Sequence, residues 1–214
     1  MTPSSSTKTE SRFNQFIRAV GGSNVKKVAS LLDDGFEIDS SSPRTDGFTG
    51  LHFASQEGDE PMVSLLLSRG ASLDLRTGKS GMTALMLASN FGKAKIVKRL
   101  LAAGATPDLR EPTMGASALM MASNNGWTEV VIDLLSGGAN ANQVGEKSWE
   151  GKTALLIALE NGCAETAYAL APHSSFQADQ VAQFMAWMHK HQPTEANMDQ
   201  PGVLGSNEHA MPVT

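Results

Sequence analysis

The 214-residue chain is short of most features that announce chemistry. It has one cysteine, Cys163, so no disulfide can close within it, which fits a reducing compartment. Cys163 follows Asn161-Gly162 and has no basic or histidine neighbour in sequence to activate it, so a reactive thiol is not expected. No run approaches the roughly 18 apolar residues of a membrane-spanning helix, so membrane insertion is not expected. The opening MTPSSSTKTESRF lacks the apolar core of a secretory signal. An intracellular location follows as the expectation, the cytoplasm first, with nucleus and organelles open. Positive charge is scarce as well. Lys and Arg number 17 against 22 Asp and Glu, a net charge of −5, and a sequence-independent phosphate binder needs the opposite balance. Nucleic acid is therefore not an expected partner.

Catalytic motifs are missing too. There is no Gly-x-Ser-x-Gly, no His-Glu-x-x-His and no Gly-x-Gly-x-x-Gly. Gly78-Lys79-Ser80 matches the end of a phosphate-binding loop, but Leu73 stands where that motif needs its first glycine. His173, His189 and His191 lack the cysteine or carboxylate neighbours that would complete a metal site. No catalytic residue, cofactor or metal is expected, and the chain does not read as an enzyme.

What the chain has in abundance is repetition. Residues 81–108 read GMTALMLASNFGKAKIVKRLLAAGATPD, and near-copies occupy 47–74 and 115–142, each offset by 34 positions. A period of that length marks a solenoid of one repeated supersecondary unit. Within each copy the fixed positions have local reasons. Thr49, Thr83, Ser117 and Thr153 place a hydroxyl where a helix begins and backbone N–H groups need acceptors. Ala54, Ala88, Ala122 and Ala158 let two helices approach closely. Gly58, Gly92, Gly126 and Gly162 suit the left-handed residue that ends the first helix. The pairs Leu66-Leu67, Leu100-Leu101 and Leu134-Leu135 face the neighbouring unit, each burial being worth about 1.5–3 kcal/mol. Lys93, Lys95, Lys98 and Arg99 cluster on one unit and read as the solvated face of its second helix.

These residues resemble the ankyrin repeat. Thr49-Gly50-Leu51-His52-Phe53-Ala54 stands where that family has Thr-Pro-Leu-His-x-Ala, followed by Gly58, Val63, Leu66-Leu67 and Gly70-Ala71. The resemblance implies an all-α ankyrin-repeat solenoid of about five helix–turn–helix repeats with hairpin-like loops, at 12–44, 45–78, 79–112, 113–148 and 149–172. It extends over roughly residues 12–172. Residues 1–11 read as a disordered tail, 173–192 as a C-terminal capping helix carrying Val181, Phe184, Met185 and Met188, and 193–214 as a flexible tail. Two departures matter. The family's proline is replaced by Gly50, Ala84, Ala118 and Ala154, and its histidine survives only as His52, with Met86, Met120 and Leu156 elsewhere. That histidine ties neighbouring loops in the family, so weaker loop bonding is expected here. The Thr/Ser spacing also runs 34, 34 and 36, and the extra residues fall in the loops at 76–80, 110–114 and 143–150.

The resemblance also implies a function: a scaffold or adaptor that recognises another protein through its concave face. Carried over position by position, the partner-binding candidates on the loops are Phe48, Lys79, Met82, Met114, Trp149 and Glu150. Those at the ends of the first helices are Glu57, Asn90, Phe91, Asn124, Asn125 and Glu160. Large apolar residues among amides and carboxylates are the mixture that interface centres favour. Phe48 and Met82 adjoin turn glycines and fit loop-on-loop packing equally well, and Trp127, after Gly126, reads as structural. The alternative is a regulatory or inhibitory subunit that acts through its terminal tails.

Overall fold

The computed structural model describes residues 5–175 and Ala186. Each period folds as two helices joined by a short connection: α1 (Ser5–Gly21) with α2 (Val25–Asp33), α3 (Gly50–Glu57) with α4 (Glu60–Ser68), and α5 (Ala84–Asn90) with α6 (Ala94–Ala102). α7 (Ala118–Asn124) pairs with α8 (Thr128–Ser136), and α9 (Ala154–Glu160) with α10 (Ala164–Leu170). First helices stack on first helices, in the order α1, α3, α5, α7, α9, and second helices stack likewise from α2 to α10. Among the described residues there is no strand, only isolated bridges at Arg110–Ser117 and Gly145–Glu150. The hairpin-like loops are held by single backbone bonds, from Thr77 N to Met82 O at 2.9 Å and from Glu111 N to Ala116 O at 3.0 Å.

The repeated positions do what their chemistry dictates. Thr83 Oγ1 accepts from Met86 N at 3.3 Å and Thr153 Oγ1 from Leu156 N at 3.4 Å, supplying orphan donors at helix starts. Thr49 differs, its hydroxyl lying 2.9 Å from Nδ1 of His52. A residue one or two positions past each first helix turns left-handed, as at Gly58 (φ 80°) directly after α3 and Gly92 (φ 67°) two past the end of α5, which lets the second helix fold back. Ala88, Val97, Leu100, Ala122, Val131 and Leu134 are completely buried between repeats. The second leucine of each pair is only half-buried, because it packs at the edge of the stack: Leu101 lies against Gly137 of the next repeat, where a Cβ would come within 2.7 Å of it. Pro172 falls in a 3-10 turn, Ala171–His173, that ends α10.

The first helix starts earlier than expected. Residues 5–11, read from composition as tail, belong to α1, a segment that holds no glycine or proline before Gly21. Of the proposed capping helix at 173–192, only 173–175 and Ala186 are among the described residues, and the tail at 193–214 lies outside them.

The loops are tied despite the missing histidines. His52 Nε2 lies 3.0 Å from Leu75 O, and in the next repeat Met86 offers its sulfur to Thr83 N at 3.4 Å. Two further ladders replace the rest. Asp39 accepts from Ser72 Oγ at 2.5 Å, Asp74 from Thr106 Oγ1 at 2.6 Å, Asp108 from Asn140 N at 2.9 Å, and Asn142 Oδ1 from Ser175 N at 2.5 Å. Arg76 donates to Arg110 O at 2.7 Å, and Arg110 in turn pairs with Glu146. The expected weakening of loop bonding is thus offset by a ladder that recurs from repeat to repeat, in which an Asp or Asn side-chain oxygen accepts from a backbone N–H one repeat on.

One loop contains a buried carboxylate. Glu111 is 2% exposed, and its oxygens accept from the backbone N–H groups of Thr113 at 2.6 Å, Met114 at 2.7 Å and Ala116 at 3.0 Å. Burial alone would raise its pKa, but these donors outweigh burial and hold the carboxyl below its usual range. Thr77, the equivalent residue one repeat earlier, does the same work with a hydroxyl that accepts from Met82 N at 2.9 Å.

Candidate functional site

The loop candidates divide into covered and open residues. Phe48 is half-buried, its ring 5.0 Å from that of Phe53 and 5.7 Å from that of His52, so it packs within its own repeat. Met82 and Trp149 are half-buried as well, and Trp149 closes a 3-10 turn, Lys147–Trp149, against Gly145. Lys79, Met114 and Glu150 remain exposed, Met114 at 39%. Lys79 is positioned by its own backbone N–H, which donates to Asp46 Oδ1 at 3.0 Å.

The candidates on the first helices converge. Asn90 ends α5, Phe91 caps it, Asn124 ends α7, Asn125 caps it, and Glu160 and Asn161 do the same for α9. Asn125 Nδ2 reaches Asn90 Oδ1 at 3.0 Å and Asn90 O at 3.1 Å, and Asn161 Nδ2 reaches Asn124 Oδ1 at 3.1 Å. Glu160 is exposed and paired with Lys152 at 2.6 Å. Glu57, the last residue of α3 and in register with Asn161, is exposed with no ion-pair partner among the described residues.

Trp127 is structural on one side and available on the other. Its indole lies over Gly92, where a Cβ would meet ring atoms at 2.7–3.0 Å, and its Nε1 donates to Asn90 O at 3.0 Å. Even so it stays 44% exposed, beside Phe91 at 45%. Trp127 is tied to Asn90 by that bond and Phe91 follows Asn90 in the chain, so two exposed aromatics stand at the amide row. Sequence reading missed the Trp127–Asn90 bond, because it joins residues 37 positions apart across a repeat boundary. Exposed apolar residues also lie elsewhere, notably Ile132 at 50% and Tyr168 at 42% on α8 and α10.

Charge around the site is local. Lys98 pairs with Glu129 at 3.3 Å and Asp133 at 3.4 Å, and Arg99 pairs with Glu60 at 2.5 Å, so much of the basic cluster on α6 is neutralised by neighbouring helices. Those carboxylates raise the pKa of Lys98, and the Arg99 hydrogen bond lowers that of Glu60. Burial pushes the Cys163 thiol up, the direction opposite to activation. Among the described residues no group of His, Cys, Asp or Glu is placed to hold a metal ion, and no helix is long and apolar enough to cross a membrane. A cavity of about 580 Å³ opens where the end of α1 meets the α3–α4 connection, lined by Val20, Phe53, Glu57, Asp59 and Glu60. It is assembled from three elements, and no local motif signals it.

Comparison with known proteins adds one positive finding. The family model described as ankyrin repeats matches residues 16–111 and 85–183, with three copies. None of the curated proteins matches the chain.

Proposed function

The chain belongs to the ankyrin-repeat family, and from that premise we propose that it is an adaptor that recognises a protein partner along the concave face of its solenoid. Ankyrin repeats are in general protein–protein interaction modules. The observation that carries the reading here is the exposure of Phe91, at the end of a helix whose residues 84–89 are all buried, together with that of Trp127 on the next repeat. Exposed aromatics next to fixed polar groups have the composition of an interface centre. The neutralised cluster on α6 favours a protein over a nucleic acid. The single cysteine supports a reducing intracellular compartment.

The test begins with affinity capture from the source cell and continues as a titration with the purified captured protein. Phe91→Ala combined with Met114→Ala weakens that binding by about tenfold or more, with unchanged helical circular dichroism. Equal affinity for the double variant would remove the concave face from the reading.

A further inference from the structure

The four asparagines at the helix ends form one continuous hydrogen-bonded row across three repeats. Asn161 Nδ2 donates to Asn124 Oδ1 at 3.1 Å, Asn124 Nδ2 to Asn125 Oδ1 at 3.3 Å, and Asn125 Nδ2 to Asn90 Oδ1 at 3.0 Å. Every amide points the same way along the row, so their orientations are set by one another. A carboxamide has two N–H donors and an oxygen with two acceptor positions. Among the described residues Asn90 therefore keeps both donors, Asn124 and Asn161 one each, and Asn161 its oxygen. Asn125 keeps none, because it also bonds Met121 O at 3.1 Å.

The row is neutral, fixed in orientation and rich in unused donors. Its natural complement is the peptide group, which carries one donor and one acceptor per residue. A charged group would instead be matched by a charged side chain. Packed helices lie roughly 8–10 Å apart, and an extended chain rises about 3.3 Å per residue. The distance from α9 to α5 therefore matches about six residues of extended peptide. Phe91 and Trp127 lie beside this track and offer an apolar platform. Beyond α5 the same register reaches Glu57, which has no ion-pair partner among the described residues, and then the cavity of about 580 Å³. Glu60 on its rim is already committed to Arg99, and Asp59 is half-buried and caps α4 by accepting from Met62 N, which leaves Glu57 as the exposed carboxylate there. The negative end of the α3 dipole points the same way. Lys93 lays its side chain over Gly58, but Glu57, Asp59 and Glu60 all line the cavity, and the charge at this end selects a cation.

Resting on the protein-binding reading above, we infer that the site takes an extended segment of the partner. Its main chain lies on the amide row, an apolar side chain rests on Phe91 and Trp127, and a Lys or Arg side chain enters the cavity beside Glu57. This is recognition of backbone plus one or two side chains, not of a folded surface.

The test uses the full chain and a displayed library of random 12-residue peptides as probe. Selected peptides are synthesised and titrated by fluorescence anisotropy. They are expected to carry a basic residue a few positions from an apolar one. Methylating their central backbone nitrogens, or substituting Asn124→Ala with Asn161→Ala, weakens binding at least about tenfold, and Glu57→Gln reduces its salt dependence. The N-methyl arm needs no protein variant and so is immune to any loss of folding. Failure to select peptides, or binding indifferent to N-methylation, overturns the inference. Peptides that respond to Lys79→Ala with Met82→Ala, but not to the asparagine substitutions, overturn it while leaving concave-face recognition standing. A captured partner indifferent to Phe91 and Met114 would remove the broader reading as well.

Discussion

Removing the carboxylate of Glu111 tests whether the loops are structural or merely decorative. Its three N–H partners are unequal: Ala116 is buried, whereas Thr113 and Met114 are exposed residues whose amides can turn to water. Glu111→Ala therefore strands one buried donor and loses two charge-assisted bonds that water can partly replace. One stranded donor costs about 1–3 kcal/mol, and a total of about 2–3 kcal/mol is expected. For a stack of this size that corresponds to a fall in melting temperature of about 5–10 °C. Glu111→Gln keeps an acceptor and loses about half as much. The carboxyl is held below its ordinary 4.5, so its contribution is fully present above pH 4.5 and is lost as pH falls through the depressed folded value. Glu111→Gln flattens that acid limb. Urea unfolding with hydrogen exchange of residues 113–116 reads both effects, because a solenoid loop can open without the whole stack. A loss below about 0.5 kcal/mol with unchanged exchange in Glu111→Ala would refute the argument, since the carboxylate would then be holding nothing.

Two further perturbations separate causes that look alike. Gly92→Ala and Gly70→Ala both put a side chain on a left-handed residue (φ 67° and 80°), but the new Cβ at 92 meets the Trp127 ring at 2.7 Å and at 70 meets nothing within 4 Å. Gly70→Ala is expected to cost about 1 kcal/mol and Gly92→Ala about 2–3 kcal/mol with a red-shifted tryptophan emission; equal costs in thermal melts would show that the indole contact is incidental. His52 is buried, and burial depresses its pKa below the ordinary 6.5 despite the bond to Leu75 O. The unfolded chain then binds the proton first, so stability is full above pH 6.5 and declines as pH falls below it. His52→Gln should remove that decline between pH 7 and pH 5, and a persistent slope in the variant would assign it elsewhere.

The helix pairs were legible in the sequence because each of their signals acts within a few residues. Thr83 caps α5 by accepting from the N–H three positions on, and Gly92 makes the left-handed turn just past that helix. Loop exposure was less legible. Phe48, Met82 and Trp149 stand at positions where the family offers residues to a partner, yet Phe48 is engaged by Phe53 and Trp149 by its own 3-10 turn. Hydrophobicity announces that a residue seeks cover without saying which side will provide it. Glu111 is the converse case. A glutamate in a loop reads as solvated, and nothing in the side-chain pattern shows that backbone donors will converge on it.

The amide row was half visible for the same reason. Asn90, Asn124, Asn125 and Asn161 were each identifiable as helix-end residues, but the bonds that carry the row from one repeat to the next skip 35 and 37 positions, about the length of a repeat. That arithmetic explains a division of labour among chemically identical side chains. Asn125 spends its donors on Met121 O and both oxygens of Asn90, so it welds two repeats together and has little left for a partner. Asn161 spends one donor and keeps the rest, at the end of the row. Asn125 thus holds the geometry that Asn161 and Asn124 present, and a partner meets amides whose orientation has been fixed before it arrives. Binding then loses little rotamer entropy, and this preorganisation allows a short segment to be held without a large buried area.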